Sequence, residues 1–391
     1  MRLSWYSNAP WAPTGYGTQT AQVVRRLVAD GHEVSILANY GLMGTILEWE
    51  GATVYPGGAT QHSFDVIANQ HRVAGSSHLI TLFDVWPFRD ELDGLRVVSW
   101  VPVDSSPVAP EIQNYAHRGH QIVAMSKWGQ EEFAKVEIAS RYIPHAIDLD
   151  VYKPTPSEFR RQLRIPDDAF LVVINAQNQT TNPDRKSWVL MLAAFSYFAK
   201  THPDAYLYLH THMKRQTGWD LGYWMSLLSM PPERVRAADI TAYQSTGVSN
   251  EQMAAIYTAS DVLLATSKGE GFGLPVIEAQ ACGTPVIVTD FSAQPELVGA
   301  GWKVKGQIEP YGPMGNFLYT PFIHDIVRAL EEAYEARGSA DLAAAAIAKA
   351  QEYDADKVYA ESWRPLLAEL EADLAPRKKV QNLALKKKKR K

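Results

Sequence analysis

The feature that most constrains the fold of this 391-residue chain is an alternation of short apolar runs and helical patterns, repeated in two successive halves. The first cycle begins with a strand predicted at Arg2 to Ser7, followed by a glycine-rich loop and a helix from about Thr18 to Asp30. Apolar residues at helical spacing support this helix, and Gly31 suits its C-terminal end. A strand then follows, so the chain opens as a parallel α/β sheet.

Further short strands are predicted in the first half, which ends near the sequence IPHAID. They are TVYP, DVIANQ, SHLITLFD, RVVSWVPVD and QIVAMS.

The second half repeats the alternation after a proline-bearing stretch. Its predicted strands are FLVVINAQ, AYLYLHTH, VLLATS and PVIVTD, and its predicted helices are KSWVLMLAAFSYFAKTHP, EQMAAIYTASD and LPVIEAQACG. Two such sheets create a cleft at the carboxyl ends of their strands, where open α/β sheets bind ligands. We therefore predict domains at 1–147 and 148–350, a C-terminal helix at 351–375 that packs back toward the first domain, and a disordered tail at 376–391.

Composition excludes several classes of protein. The chain is 46% hydrophobic and 21% charged, which is close to average globular usage. Its single cysteine, Cys282, rules out an internal disulfide and fits a reducing compartment. The N-terminus has no apolar signal-peptide core, and no run of about 18 apolar residues predicts a membrane span. We expect a cytoplasmic protein.

The segment Ser267 to Asp290 carries the clearest chemical signal, because Glu270 and Glu278 flank a glycine-rich loop that enters a helix. Glycines let backbone N–H groups approach a ligand, and a helix N-terminus favours phosphate. Carboxylates are poor phosphate ligands but good acceptors for hydroxyl groups. A nucleotide sugar has a central diphosphate and a polyol at each end. It would therefore suit both the backbone N–H groups, which bind phosphate, and the two carboxylates, which bind hydroxyl groups. The alternative is a tight loop with two solvated acids.

The sequence YTASDVLLATSKGEGFGLPVIEAQACGTPVIVTDFSAQPELV resembles the signature of the retaining glycosyltransferases of family four. The resemblance implies the GT-B fold, with two Rossmann-like domains facing a central cleft, the first for the acceptor and the second for the donor. It also implies that Glu278 binds the ribose hydroxyls of the donor. Glu270 would hold the donor hexose together with the backbone amides of Gly271, Phe272, Gly273 and Leu274.

Other segments resemble the same family. The loop and helix TGYGTQTAQVVRRLVADGHEVSIL imply that Gly15 and Gly17 lie against the diphosphate or the acceptor. DRKSWVLMLAAF resembles the passage that neutralises the diphosphate, which implies this role for Lys186, with Arg185 as the second candidate. The chain departs from the family at NAQNQTTNPDRK, where many members have Gly-Arg, and at His145, where they have Asn.

The first domain should also supply a polar residue to the cleft. Asp104 follows a predicted strand, at a kind of position that contacts the donor hexose in many members, so we choose it ahead of Asp84. Each could instead be a turn or cap acid. The resemblance implies no cofactor and no metal, and Asp148-Leu149-Asp150 is interpreted as part of the domain junction rather than as a metal ligand set.

The predicted function is transfer of a hexose from a nucleotide diphosphate sugar to a hydroxyl acceptor with retention of configuration. NAPWAPTGYGTQT and VPVDSSP resemble members encoded by bacteriophages and archaea. Together with the basic C-terminal segment, this suggests hydroxymethylated phage DNA as acceptor and the host cytoplasm as location. Protein, lipid and small-molecule acceptors stay open. So do two other classes, a GT-B sugar-nucleotide 2-epimerase and a non-catalytic nucleotide-sugar-binding module.

The C-terminal segment differs from the rest of the chain in charge. Removing its nine positive charges from the formal net charge of −5 leaves about −14 for the remainder. Such a tail suits contact with a polyanion, DNA or an anionic membrane, or it is simply solubilising. Its basic residues are Arg377, Lys378, Lys379, Lys386, Lys387, Lys388, Lys389, Arg390 and Lys391.

Truncation after Leu374 should leave the fold and donor hydrolysis intact, because the removed residues are too polar to form a core. With a DNA acceptor, truncation should weaken acceptor binding and flatten its salt dependence, since fewer counterions are released. Transfer to hydroxymethylated DNA, measured at two salt concentrations with and without the tail, checks this. If the full-length protein supplied with its proper donor transfers to no DNA, the nucleic-acid interpretation is excluded.

Overall fold

In the computed structural model, which describes residues 1–179, 184–239, 247–311 and 315–374, two separate parallel sheets follow one another along the chain. This confirms the α/β fold class predicted from the alternation. The predicted basic tail lies outside the described residues, and the domain boundaries stay predictions.

The first sheet has eight strands in the order β3-β4-β2-β1-β5-β6-β7-β8, and every pair is parallel except β3 with β4. The strands are β1 (Arg2–Asn8), β2 (Glu33–Tyr40), β3 (Leu47–Trp49), β4 (Ala52–Tyr55), β5 (His78–Leu82), β6 (Val97–Val101), β7 (Gln121–Ala124) and β8 (Ser140–Tyr142). The helices are α1 (Gly15–Ala29), α2 (Ile67–Val73), α3 (Pro110–Ala116) and α4 (Lys127–Lys135).

One predicted strand of this half is wrong. DVIANQ contributes to helix α2, with Ile67 and His71 buried four positions apart on one helical face. His71 Nδ1 lies 3.0 Å from Ser4 Oγ, so the buried face of this helix includes a polar side chain that the apolar pattern does not count.

The second sheet has six strands in the order β11-β10-β9-β12-β13-β14, all parallel. They are β9 (Phe170–Asn175), β10 (Ala205–His210), β11 (Val235–Ala237), β12 (Val262–Ala265), β13 (Val286–Thr289) and β14 (Gly301–Val304). The helices are α5 (Phe159–Gln162), α6 (Trp188–Phe198), α7 (Leu221–Leu227), α8 (Asn250–Thr258), α9 (Leu274–Ala281), α10 (Ile323–Glu335) and α11 (Ala340–Ala350).

An antiparallel hairpin that the sequence analysis missed follows β14. Its strands are β15 (Gly306–Tyr311) and β16 (Asn316–Pro321), paired from Gly306 with Pro321 to Tyr311 with Asn316. The hairpin precedes α10 and therefore belongs, by chain order, to the second half.

The end of the described chain packs on the first sheet. Helix α12 (Ala355–Val358), a π-helical turn (Tyr359–Trp363) and α13 (Arg364–Leu374) follow α11. The ring of Trp363 lies 5.6 Å from Trp5 and 5.0 Å from Trp100. Arg364 donates two hydrogen bonds to Asp30, at 2.8 and 2.9 Å. Among the residues described, no helix is long and apolar enough to cross a bilayer.

A carboxylate of the second half also caps a helix of the first. Both Glu296 oxygens accept backbone N–H groups at the start of α4, from Lys127 and Trp128, at 3.0 Å each. Free N–H groups and partial positive charge make a helix N-terminus a favourable partner for a carboxylate. This contact fixes the two halves against each other beside the cleft.

Trp363→Ala should lower the free energy of unfolding by about 3–5 kcal/mol, because its side chain is fully buried against two other tryptophans and the protein can only partly fill the cavity. Denaturant unfolding measures this. Trp86, whose side chain is 43% exposed, is the matched control, and Trp86→Ala should cost less than about 1 kcal/mol. Equal losses for the two variants would contradict the packing described.

Candidate functional site

The loop after β12 and the loop after β6 meet where the two halves face each other. A Cβ atom added to Gly269 would lie 1.9 Å from the carbonyl oxygen of Asp104, and one added to Gly271 would lie 2.5 Å from Pro102 Cβ. Only glycine permits this approach. Gly269 and Gly271 therefore allow the two halves to come into close contact, and this contact places Glu270 at the junction.

Glu270 lies between two cations. Its Oε1 is 2.5 Å from Lys186 Nζ, and its Oε2 is 3.1 Å from Arg185 Nη1. Burial favours the neutral form of this carboxyl, but Lys186 and then Arg185 outweigh that effect and lower the pKa of Glu270 to about 2. Burial lowers the pKa of Lys186, and Glu270 opposes this change. The cluster is a partly buried ion triad.

Arg185 also connects the loops. Its Nη1 donates to the carbonyl of Gly269 at 2.7 Å and lies 3.6 Å from Asp104 Oδ2, in the first half. The N–H of Lys268 donates to the Arg185 carbonyl at 2.8 Å. The predicted candidates Arg185, Lys186, Glu270 and Asp104 thus come together, although most of the departure NAQNQTTNPDRK precedes the cluster and partly lies outside the described residues.

Glu278 lies one turn inside α9 and is almost fully buried. The Tyr257 hydroxyl donates to its Oε2 at 2.9 Å. Burial raises the pKa of Glu278 to about 7, although hydrogen bonds from Tyr257 and Tyr152 oppose the shift. The two tyrosines were not predicted as site residues. Tyr257 occurs in the YTASD sequence, but nothing local to either residue indicates that both face a carboxylate.

The backbone around the start of α9 has the geometry expected of a helix that can receive an anion. Gly273 has φ +118° and precedes the first helical residue, Leu274, while a proline occupies the first turn. Phe272 is buried, with its ring 5.2 Å from His145 and 5.5 Å from Tyr353. Its side chain belongs to the core, so any contact with a ligand would use the backbone.

The two glycines predicted at the start of α1 lie in different environments. A Cβ on Gly15 would lie 3.1 Å from Leu274 Cδ1, so Gly15 faces the start of α9 across the cleft. A Cβ on Gly17 would lie 2.3 Å from the Ala12 carbonyl oxygen, and the Gly17 N–H donates to Thr14 Oγ1 at 3.0 Å. Gly17 is thus required for the chain's own first turn. The ligand roles of both stay predictions.

Asp84 and Asp104 both face the cluster from the first half. Burial, followed by repulsion from Asp104, raises the pKa of Asp84 to about 6, while Arg185 opposes the change. The hydroxyl of Tyr16 lies beside the Asp84 carboxyl. The sequence analysis did not assign Tyr16 to the site, although its place between Gly15 and Gly17 is a signal that could have indicated it.

Within the described ranges, no group of three or more His, Cys, Asp or Glu side chains could hold a metal ion. Asp148 accepts the backbone N–H of Asp150 through its own side chain at 2.9 Å, as a turn acid does. His210 is buried near Tyr208, and burial lowers its pKa to about 4.

Glu278→Gln should become more stable relative to the unchanged protein as pH rises from 5 to 8. The folded-state pKa of about 7 exceeds the ordinary value of 4.5. The protonated carboxyl therefore contributes stability below about pH 4.5, and this contribution is lost as pH rises through 7. The difference should grow by about 1–3 kcal/mol across this range. Thermal unfolding of both proteins in ligand-free buffers measures it, and a difference independent of pH would contradict the burial of Glu278.

Comparison with known proteins gives one family match. Residues 243–352 match the family described as Glycosyl transferases group 1. The MMP α-(1→4)-mannosyltransferase of Mycolicibacterium hassiacum is 42% identical over 57 residues, 15% of this chain and 14% of that protein. The D-inositol 3-phosphate glycosyltransferase of Mycolicibacterium smegmatis is 34% identical over 98 residues, 24% of this chain and 22% of that protein. The chain thus spans less than a quarter of the length of these relatives.

Solved structures match over nearly the whole chain. The sucrose-phosphate synthase of Thermosynechococcus elongatus has a TM-score of 0.73 at 16% identity, covering 95% of this chain and all of that one. The HepE protein of Anabaena, in complex with UDP and glucose, has a TM-score of 0.65 at 17% identity, covering 96% of this chain and all of that one. Residues 243–352 are therefore similar to glycosyl transferases group 1, and the chain has the GT-B fold of two Rossmann-like domains that these solved structures share.

Proposed function

We propose that the protein transfers a hexose from a nucleotide diphosphate sugar to a hydroxyl acceptor with retention of configuration. The observation that carries the proposal is the pairing of Glu270 with Lys186 and Arg185 beside the start of α9. Two cations and a helix N-terminus, which favour a diphosphate, thus lie next to the Glu270 carboxylate, which can accept hydrogen bonds from sugar hydroxyl groups. The matched relatives, a mannosyltransferase and a glycosyltransferase by name, support the same reaction class.

The ion triad suits a site that receives a diphosphate. Buried cations are costly unless they are paired, and Glu270 forms ion pairs with both Lys186 and Arg185. A diphosphate offers the same cations further anionic partners, so they are already positioned for it. Charge that grows on the leaving phosphate can then be stabilised without rearrangement of the site.

The proposed reaction is a substitution at the anomeric carbon of the donor. The bond from this carbon to the phosphate oxygen breaks, and the leaving diphosphate keeps the electron pair. The acceptor oxygen forms its bond on the same face, through a transition state that resembles an oxocarbenium ion. The acceptor proton passes to the leaving phosphate oxygen. Lys186, Arg185 and the start of α9 stabilise the diphosphate, while Glu270 and Asp104 orient the hexose.

Glu278 is proposed to bind the ribose hydroxyls. It lies four residues after Leu274, on the same face of α9 as the start of the helix. With a pKa of about 7, Glu278 loses its proton at little cost when two hydroxyl groups donate hydrogen bonds to it. The structure of HepE with UDP and glucose, which shares the fold, is consistent with a nucleotide and a sugar in such a cleft.

For the acceptor, we propose hydroxymethylated phage DNA, reached in the host cytoplasm and attracted by the nine positive charges near the C-terminus. The acidic remainder of the chain repels DNA and limits this attraction to the tail. Mass analysis of native acceptors separates DNA from protein, lipid and small molecules.

The reaction class is tested with a panel of UDP-, GDP- and dTDP-sugars in thermal shift, followed by product analysis. Binding and turnover that require a separate acceptor, with an unchanged anomeric configuration by NMR, are expected. An altered sugar formed from donor alone would replace the proposal with a sugar-nucleotide 2-epimerase. Binding without turnover would indicate a non-catalytic module, and an inverted product would exclude retention.

Lys186→Ala should lower kcat about 10²–10³-fold while changing the Michaelis constant of the donor less, because negative charge on the diphosphate grows in the transition state. Steady-state kinetics with saturating acceptor measure both constants. Lys200→Ala is the matched control, since this lysine is exposed after α6 and should leave kcat unchanged. An active Lys186→Ala with an inactive Arg185→Ala would transfer the role to Arg185.

A further inference from the structure

The hairpin β15–β16 reaches from the second half to the first beside the ion triad. The N–H of Ser106 donates to the Phe317 carbonyl at 3.1 Å, and the N–H of Phe317 donates to the Ser106 carbonyl at 2.7 Å. The buried side chain of Asn316 donates to Ser105 Oγ at 2.7 Å. These two serines directly follow Asp104, so the hairpin is hydrogen-bonded to the loop that carries this site residue.

The base of the hairpin is held to the other side of the site. Lys268 Nζ lies 2.6 Å from Glu309 Oε2, and the N–H of Tyr319 donates to the Lys268 carbonyl at 2.9 Å. Lys268 in turn is two residues before Glu270 and bonds to the Arg185 backbone. The hairpin therefore contacts the loop that carries Glu270 and the loop that carries Asp104.

The two faces of the hairpin differ. Paired residues in an antiparallel ribbon point to the same face, and side chains alternate along each strand. Tyr311 pairs with Asn316, and Glu309 pairs with Leu318, which is buried against Gly269. These four side chains share the face that contacts the site loops. Ile308, 66% exposed, belongs to the opposite face.

This alternation directs Tyr311 to the site. Its cross-strand partner bonds to the residue after Asp104, so the Tyr311 ring faces the region around Asp104 and Arg185. Burial, followed by the negative charges of Asp104 and Asp84, raises the pKa of Tyr311, while Arg185 opposes the change. The hydroxyl is therefore neutral at physiological pH and is able to donate or accept a hydrogen bond.

We propose that the hairpin forms one wall of the pocket for the transferred sugar and that Tyr311 contacts the hexose of the donor, which makes it a specificity-determining residue. The inference rests on the proposed function, because it requires a nucleotide sugar whose hexose lies at Glu270 and Asp104. A hexose in this position has its hydroxyl groups within the enclosure formed by the loops after β6 and β12 and by the hairpin.

The test compares a nucleotide with its sugar conjugate. Calorimetry with UDP and UDP-glucose, and with GDP and GDP-mannose, gives the affinity gained from the hexose in the unchanged protein. Tyr311→Phe should leave the affinity for the bare nucleotide unchanged and weaken that for the nucleotide sugar about three- to tenfold, because one neutral hydrogen bond is lost. Ile308→Ala, on the opposite face, should change neither affinity.

A double-mutant cycle tests whether the hydrogen bond between Asn316 and Ser105 positions the Tyr311 ring. Asn316→Ala and Ser105→Ala remove the two partners of one hydrogen bond, so each should weaken nucleotide-sugar binding by a similar factor and the double variant by little more. Thermal unfolding of every variant separates this effect from loss of folding. Multiplicative losses would show that the bond does not position the hairpin.

The outcomes separate the two proposals. If Tyr311→Phe binds nucleotide sugars as tightly as the unchanged protein, or loses nucleotide and nucleotide sugar equally, the role of Tyr311 is overturned while the proposed function stands. If the unchanged protein binds none of the four probes and no dTDP-sugar, both the proposed function and this inference are overturned.

Discussion

The ion triad of Glu270 with Lys186 and Arg185 is the interaction on which the arrangement of this site depends. Each member comes from a loop that follows a strand of the second sheet, and Arg185 also faces Asp104 of the first half. Three charges of unequal sign leave a net positive charge at the junction. That charge is balanced in part by Asp104, so the two halves approach through electrostatic attraction as well as through packing.

The two halves can approach closely because the residues at the centre of their contact are small and the polar groups at its edge are hydrogen-bonded. At the centre, side chains in place of Gly269 and Gly271 would collide with the loop after β6. At the edge, Glu296 accepts hydrogen bonds from the free N–H groups at the start of α4. Burial raises the pKa of Glu296, and these hydrogen bonds oppose the change.

The alternation of strands and helices predicted the parallel sheets, because strand ends and glycine loops have local signatures. That Glu270, Lys186, Arg185 and Asp104 share one site was implied by the resemblance to a known family rather than by the pattern itself. The hairpin was not predicted because the apolar and polar residues of its strands do not alternate cleanly. Polar Glu309 and Thr320 share a face with buried Leu318, while the apolar side chains of Ile308 and Phe317 are exposed on the other face. A search for strict alternation of apolar and polar residues does not recognise such a ribbon.

Helix α2 and the contact of Tyr16 with Asp84 were not predicted for other reasons, although Asp84 itself was considered as a site residue. In α2, the buried face consists of one apolar residue, Ile67, and one hydrogen-bonded histidine, His71, so it shows no apolar stripe in the sequence. Tyr16 and Asp84 follow two different strands of the first sheet, and only the adjacency of β1 and β5 brings them together. The strand order is a tertiary property that a short sequence window does not contain.

The tryptophan cluster has a consequence for synthesis of the chain. Trp5 and Trp100 belong to the first sheet, but Trp363, which covers them, is among the last residues described. More than 250 residues separate Trp100 from Trp363 in the sequence. Because a ribosome adds about 5–20 residues per second, Trp363 is synthesised roughly 13 s or longer after Trp100. The N-terminal half therefore completes its core only after the whole second half has been made. Shielding of nascent chains by chaperones should matter more for this protein than for one whose domains each close on themselves.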